Sequence, residues 1–154
     1  MASKGFTISM NLSQLTFDAT RNIERYDKNT REAIQGVIRR GTHAALEEAT
    51  RLAPYGPTGN LKAGITEDFK GGMYARGQVK STAPHSHLVE FGSGERIVYP
   101  VKKQALKFRD GGFAKGDIYN GKMPKAPFMK PAAEKVKPQI EREMEEVLNH
   151  DNRT

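Results

Sequence analysis

The residues best placed to do chemistry are His85, Ser86 and His87, with Glu90 three positions further on. On an extended strand, imidazoles two positions apart share one face, and Glu90 would complete the three protein ligands of a catalytic zinc site. The competing reading makes both histidines surface or interface groups in a segment opened by Pro84. Ser81, Ser86 and Ser93 are the available nucleophiles, but Gly92-Ser93-Gly94 lacks the Gly-x-Ser-x-Gly elbow that presents a hydrolytic serine. Gly56-Pro57-Thr58-Gly59 and Gly111-Gly112 lack the Walker and dinucleotide spacings and read as turns. Glu90, set between Val89 and Phe91, reads as a structural acid that accepts backbone amides or pairs with an arginine. No catalytic residue, metal ligand or cofactor is assigned.

Electrostatics offers a stronger feature. Residues 96–130 hold nine Lys/Arg and two acids, Asp110 and Asp117, whereas residues 132–154 hold four basic and six acidic groups. Lys102, Lys103, Lys107, Arg109, Lys115 and Lys122 form a candidate DNA-facing patch, interleaved with Tyr99, Phe108, Phe113 and Tyr119. Such a segment is either solvated surface or a face turned toward a phosphate backbone. No ribonucleoprotein aromatic motif, zinc finger or helix-turn-helix accompanies it, so contact with duplex would be nonspecific.

These groups need elements to hold them. The 154 residues fit one domain over 1–154, with a lean core: Leu, Ile, Val and Phe total 30 residues. Such a core argues that some apolar surface is buried against other subunits. The chain has no cysteine, hence no disulfide or thiolate metal site. No apolar run of about 18 residues predicts a membrane span, and the first residues lack a secretory h-region.

Alternation of Phe6, Ile8, Met10 and Leu12 predicts a strand over 5–12. Ile34, Val37, Ile38, Gly41, Ala45, Ala49 and Leu52 trace one face of a helix over 27–53, with Asp27 as N-cap and Pro54 as terminator. Gly41 and Ala45 leave room on that face for a sheet or a second helix. Leu61, Ala63, Ile65 and Phe69 predict a strand that reverses at Gly71-Gly72 and returns through Ala75, Gly77 and Val79. A second extended pair is expected through 95–100 and 104–108, giving an antiparallel sheet over 61–109. Residues 110–127 read as a long loop or arm, with Gly112, Phe113, Ile118 and Tyr119 as its assembly residues. A final helix over 131–149 opens at Pro131, with a kink or restart expected at Pro138. The expected class is α+β: a small antiparallel sheet packed on a long N-terminal-half helix and a C-terminal helix, with a long basic arm.

Three phrases punctuate this plan. They are Ala53-Pro54 leading to Thr58-Gly59-Asn60-Leu61-Lys62-Ala63-Gly64-Ile65, then His87-Leu88-Val89-Glu90-Phe91-Gly92-Ser93-Gly94, then Ala126-Pro127-Phe128-Met129-Lys130-Pro131-Ala132. Each shapes backbone through Pro and Gly and anchors the turn with an apolar residue. In this order, over residues 5–149, the chain resembles the head–tail joining or tail-completion (neck) proteins of long-tailed bacteriophages, typified by gene product ten of the lambdoid HK-type phages. The loop Tyr55-Gly56-Pro57 departs from that pattern, as does Met123-Pro124, where the family often has His-Pro-Gly. Pro54, Thr58, Gly59, Leu61, Glu90, Phe91, Gly92, Pro127, Phe128 and Pro131 carry the resemblance.

The resemblance implies a non-enzymatic virion subunit at the head–tail junction, present in the host cytoplasm during assembly. Its implied partners are copies of itself in a ring, a hexamer first among the options; a head-completion or connector protein; a tail-tube or tail-terminator protein; and passing genomic duplex. No membrane partner is expected. The alternatives are a tail-terminator ring subunit, a nonspecific nucleic-acid-binding domain, and a metalloenzyme built on His85, His87 and Glu90.

Overall fold

The computed structural model describes residues 8–11, 27–72, 75–98, 105–107, 111–119 and 121–151. Along these residues run β1 (Ile8–Asn11), α1 (Lys28–Leu52), α2 (Asn60–Ala63), β2 (Ile65–Lys70), β3 (Arg76–Ser81), α3 (Ser86–Phe91), β4 (Ile97–Val98), β5 (Ala105–Lys107), β6 (Phe113–Lys115), β7 (Ile118–Tyr119) and α4 (Met129–Asp151). The protein is α+β: an antiparallel sheet, a long helix and a C-terminal helix. The sheet order is β1-β3-β2, both pairings antiparallel, with Ser81 facing Ile8 on one side and Ile65 on the other.

Helix α1 starts where a carboxylate can receive its first amides. Asp27 Oδ1 accepts Thr30 N–H at 2.8 Å, and the Thr30 hydroxyl and amide hold the Asp27 carboxyl below its usual pKa. Pro54 ends the helix by pushing Ala53 into an extended conformation, while Ala53 N–H still reaches Ala49 O at 2.9 Å. The predicted apolar face is the buried one: Ile34, Val37, Ile38, Gly41, Ala45 and Ala49. It packs along α4 and across β2 and β3. From α4 come Met129, Ala132, Val136, Ile140 and Met144, and from β2 and β3 come Ile65 and Val79.

Two close approaches make this packing possible. A Cβ on Gly41 would lie 2.6 Å from Ile140 Cδ1, so the missing side chain lets α4 settle against α1. A Cβ on Gly77 would overlap the Thr42 hydroxyl, so β3 crosses α1 at a distance only glycine permits. Ion pairs then bridge the helix seam. Arg40 pairs with Glu143 at 2.8 Å, and Glu48 takes both Arg51 and Lys135, the latter at 2.9 Å. Hydrogen bonds from Arg51 and then Lys135 hold Glu48 down at about 2.

Several expectations change. The strand expected from Leu61 begins instead at Ile65, because Gly59, at φ 66°, starts a helical turn that Ala63 N–H and Gly64 N–H close onto Gly59 O and Asn60 O. The sheet expected over 61–109 is interrupted again by α3. Helix α4 begins at Met129, two residues before Pro131, and runs through Pro138 without a restart. Pro138 is exposed, so the carbonyl four residues back that loses its amide partner can turn to water. The strand expected over 5–12 is described only as β1.

Candidate functional site

The second and third phrases meet in space, and Glu90 joins them. Helix α3 ends at Phe91, with Gly92 at φ 72° turning the chain away. One residue before Phe91, Glu90 points inward and is 4% exposed. Its Oε2 accepts Phe128 N–H at 2.8 Å and Met129 N–H at 3.0 Å, and its Oε1 accepts Lys130 N–H at 3.0 Å. A helix begins with amides that have no partner inside the helix, and an anion there also faces the positive end of the helix dipole. One carboxylate from 38 to 40 residues upstream therefore caps α4. Phe128, fully buried, pins the same junction, and Ala126 N–H donates to Val89 O at 2.8 Å.

From this clip a single out-and-back excursion leaves the body. At its base Ser93 pairs with Met123, through Ser93 N–H to Met123 O at 2.9 Å and Met123 N–H to Ser93 O at 3.2 Å. Further out, Ile97 faces Tyr119 and Val98 faces Ile118. Furthest out, Ala105, Leu106 and Lys107 face Lys115, Ala114 and Phe113. The three pairings nest in sequence as separate pieces: β4 with β7 and β5 with β6 make two short antiparallel ribbons, together called the arm below. This corrects the expected pairing of 95–100 with 104–108: each pairs instead with part of 110–127, the stretch read as a loop. Two- and three-residue strands fall below the length at which alternation can be seen in a sequence.

The arm is decorated with groups that normally seek partners. Phe113 is 69% exposed, Tyr119 62% and Ile97 61%; Val98, Met123 and Gly112 are also exposed, as is Phe91 at the end of α3, and Ile118 is half-buried. The Tyr119 hydroxyl donates to Glu95, which raises the tyrosine pKa above its ordinary value. Lys107 Nζ sits 5.8 Å above the Phe113 ring, within cation–π range. Lys107, Lys115 and Lys122 are exposed along the arm; Lys102, Lys103 and Arg109 lie outside the described residues.

The other candidate residues are placed as follows. Thr58 Oγ1 accepts Asn60 N–H at 3.5 Å, Gly59 caps α2, Leu61 packs against the core, and Pro54 and Pro127 are exposed. His85 and His87 fall at the start of a helix, not on a strand, so they do not share the face that the zinc reading requires. Among the described residues no cluster of His, Asp and Glu could hold a metal ion. Ser81 and Ser86 are fully buried, and Ser93 Oγ accepts Met123 N–H at 3.3 Å. No helix among the described residues is long and apolar enough to cross a membrane.

Residues 17–92 match the profile of the HK97-gp10-like family, described as "Bacteriophage HK97-gp10, putative tail-component". Over this stretch the chain is similar to the HK97-gp10-like family. That stretch runs from ahead of α1 through α3 to Gly92, so it includes Glu90 and stops at the base of the arm. That description is of a bacteriophage tail component, and the similarity supports a structural, virion-associated protein. No curated protein and no solved structure matches it.

Proposed function

We propose that the protein is a ring-forming subunit at the head–tail junction, joining the capsid connector to the tail and leaving a passage for DNA. The arm carries this reading. It is a ribbon of short strands with exposed aromatic and aliphatic groups, clipped at its root to the buried start of α4. Two-stranded ribbons are marginal alone in water, so an arm of this kind belongs against a neighbour. Head-to-tail contacts between identical subunits close into a ring when the rotation allows it. Arm lysines outside contacts between copies, Lys122 among them, suit a lumen through which duplex must slide, since point charges hold phosphate less rigidly than bidentate arginines do. The partners are further copies, a head-completion or connector protein, and a tail-tube or tail-terminator protein. No chemical transformation enters this role.

The test is excision of the arm. Joining Gly94 to Lys122 through a short Gly-Ser linker removes 95–121 while keeping the Ser93–Met123 pairing that already brings the two ends together. The expected variant keeps its helical circular dichroism and cooperative unfolding but yields heads and tails that fail to join, seen by electron microscopy of lysates. Normal particle yield with the armless chain would overturn the reading, as would purified virions lacking the protein. The exposed lysines favour a second reading, nonspecific duplex binding by the isolated chain, whose mark is affinity falling steeply with salt.

A further inference from the structure

A groove of about 400 Å³ opens between the first turns of α1 and the last turns of α4, lined by Ala33, Arg40, Glu143, Glu146, Val147 and His150 among others. Its walls mix the apolar Ala33 and Val147 with charged groups: Arg40, which pairs with Glu143, and the acid Glu146. Residues 141–151 hold five acids and one arginine, a net −4, and the carbonyl end of a 23-residue helix adds negative potential there. Glu145 and Glu146 are exposed and make no ion pair among the described residues. The arm has the opposite sign: residues 96–125 hold eight Lys/Arg and two Asp, a net +6. Its outermost described pair sets the exposed Phe113 ring beside Lys107, with Lys115 two residues on.

We propose that this outer pair docks into the α1–α4 groove of a second copy, the Phe113 ring against Ala33 and Val147, and Lys107 and Lys115 facing Glu146, since Arg40 already occupies Glu143. The inference rests on the ring reading and names the surfaces that would close it. Charge selects the occupant, because a basic, aromatic-tipped ribbon and an acid-rimmed, apolar-floored groove are complementary and sit on the same chain. The ring also explains why duplex is the poorer occupant. A phosphate backbone would satisfy the lysines but leave Phe113 in water, whereas the groove takes both. Each copy offers one arm and one groove, so the contact is heterologous and propagates.

The chain has no cysteine, which makes a clean crosslinking test. Gly112→Cys, beside Phe113, and His150→Cys, at the groove, are prepared as separate variants, both at exposed positions that leave Phe113 and Glu146 intact, with folding checked by circular dichroism. Mixed together and treated with a short bismaleimide, they should give a covalent dimer several-fold above either variant alone. Dimer from Gly112→Cys alone would mean arm-to-arm pairing and would overturn the proposal. So would crosslinking inside one monomer of the doubly substituted chain, or no crosslink at all. In parallel, Lys107→Glu should weaken self-association about tenfold by sedimentation, and adding Glu146→Lys to the same chain should restore it. Wild-type rings with unaffected charge variants overturn this contact and leave the ring reading standing. A wild type that sediments as a monomer at every concentration overturns both. Loss of duplex binding in Phe113→Ala with assembly unchanged would assign the tip to nucleic acid instead.

Discussion

Glu90 is the residue whose removal should be felt most. Its carboxylate accepts three amides at the start of α4, two of them on Phe128 and Met129, which are buried and cannot turn to water instead. Lys130 is exposed, so its amide can be rehydrated. In Glu90→Ala the two buried donors are orphaned at ~1–3 kcal/mol each, and the favourable contact with the helix dipole is lost as well. The expected loss is about 4 kcal/mol. Glu90→Gln keeps one carbonyl that can still serve Phe128 and Met129, so its cost should be about 1–2 kcal/mol. For a chain of this length 1 kcal/mol shifts Tm by roughly 2–4 °C, which gives about 8–16 °C for alanine and about 2–8 °C for glutamine. The assay is urea unfolding followed at 222 nm at one fixed protein concentration. Hydrogen exchange provides the local readout: Phe128 and Met129 amides should lose protection in Glu90→Ala well beyond the global change. Both variants falling within about 1 kcal/mol of wild type would refute the capping account, as would unchanged exchange at those two amides.

Three further outcomes follow from the packing and the charges. Gly77→Ala should cost about 2 kcal/mol or more in urea unfolding, because its Cβ would strike Thr42 and crowd Ile38 Cγ2 at 3.3 Å, and a stability equal to wild type would mean β3 and α1 part more easily than described. Gly92→Ala should destabilise the junction through both its φ of 72° and a Cβ 2.8 Å from Met123 O, and should raise proteolysis within 94–122 before elsewhere. Glu48 has a pKa lowered from 4.5 to about 2 in the folded chain, so its stabilising contribution is complete above about 4.5 and disappears as pH falls toward about 2. Glu48→Gln should therefore show a flatter fall in urea midpoint across that window than wild type, and parallel curves would refute the assignment.

Much of the body was legible because its elements are long and periodic. Seven apolar or small positions at helical spacing, a carboxylate before them and a proline after them specify α1, and the same kind of stripe specifies α4. The β2–β3 hairpin was legible for a similar reason, as alternation on both sides of Gly71-Gly72. Short elements were not. Leu61, Ala63 and Ile65 alternate whether or not the first two lie in a single helical turn, and only the left-handed Gly59 decides it. Pro138 carried a strong local signal that α4 overrides, since the affected turn faces solvent on a helix held by Val136, Ile140 and Met144.

The arm was the hardest part to read for a deeper physical reason. Helix and hairpin propensities are local, whereas the pairings of the arm link Ser93 to Met123 and Ile97 to Tyr119 across tens of residues, with only two or three residues in register at a time. Little side-chain burial rewards those pairings within one chain, so little apolar patterning marks them. What marks the excursion is its boundary. Gly92 turns the chain outward two residues after Glu90, and Phe128 turns it back into the core where the same Glu90 receives the amides of Phe128, Met129 and Lys130. Closing such an excursion costs entropy that rises only slowly with length, so a strong clip at its root can hold a long arm ready without the arm's own strands being stable. That division of labour predicts a separable effect. Weakening the clip with Glu90→Gln should reduce assembly even at temperatures where α1 and the sheet remain folded, whereas changing the tip should reduce assembly with no loss of stability at all.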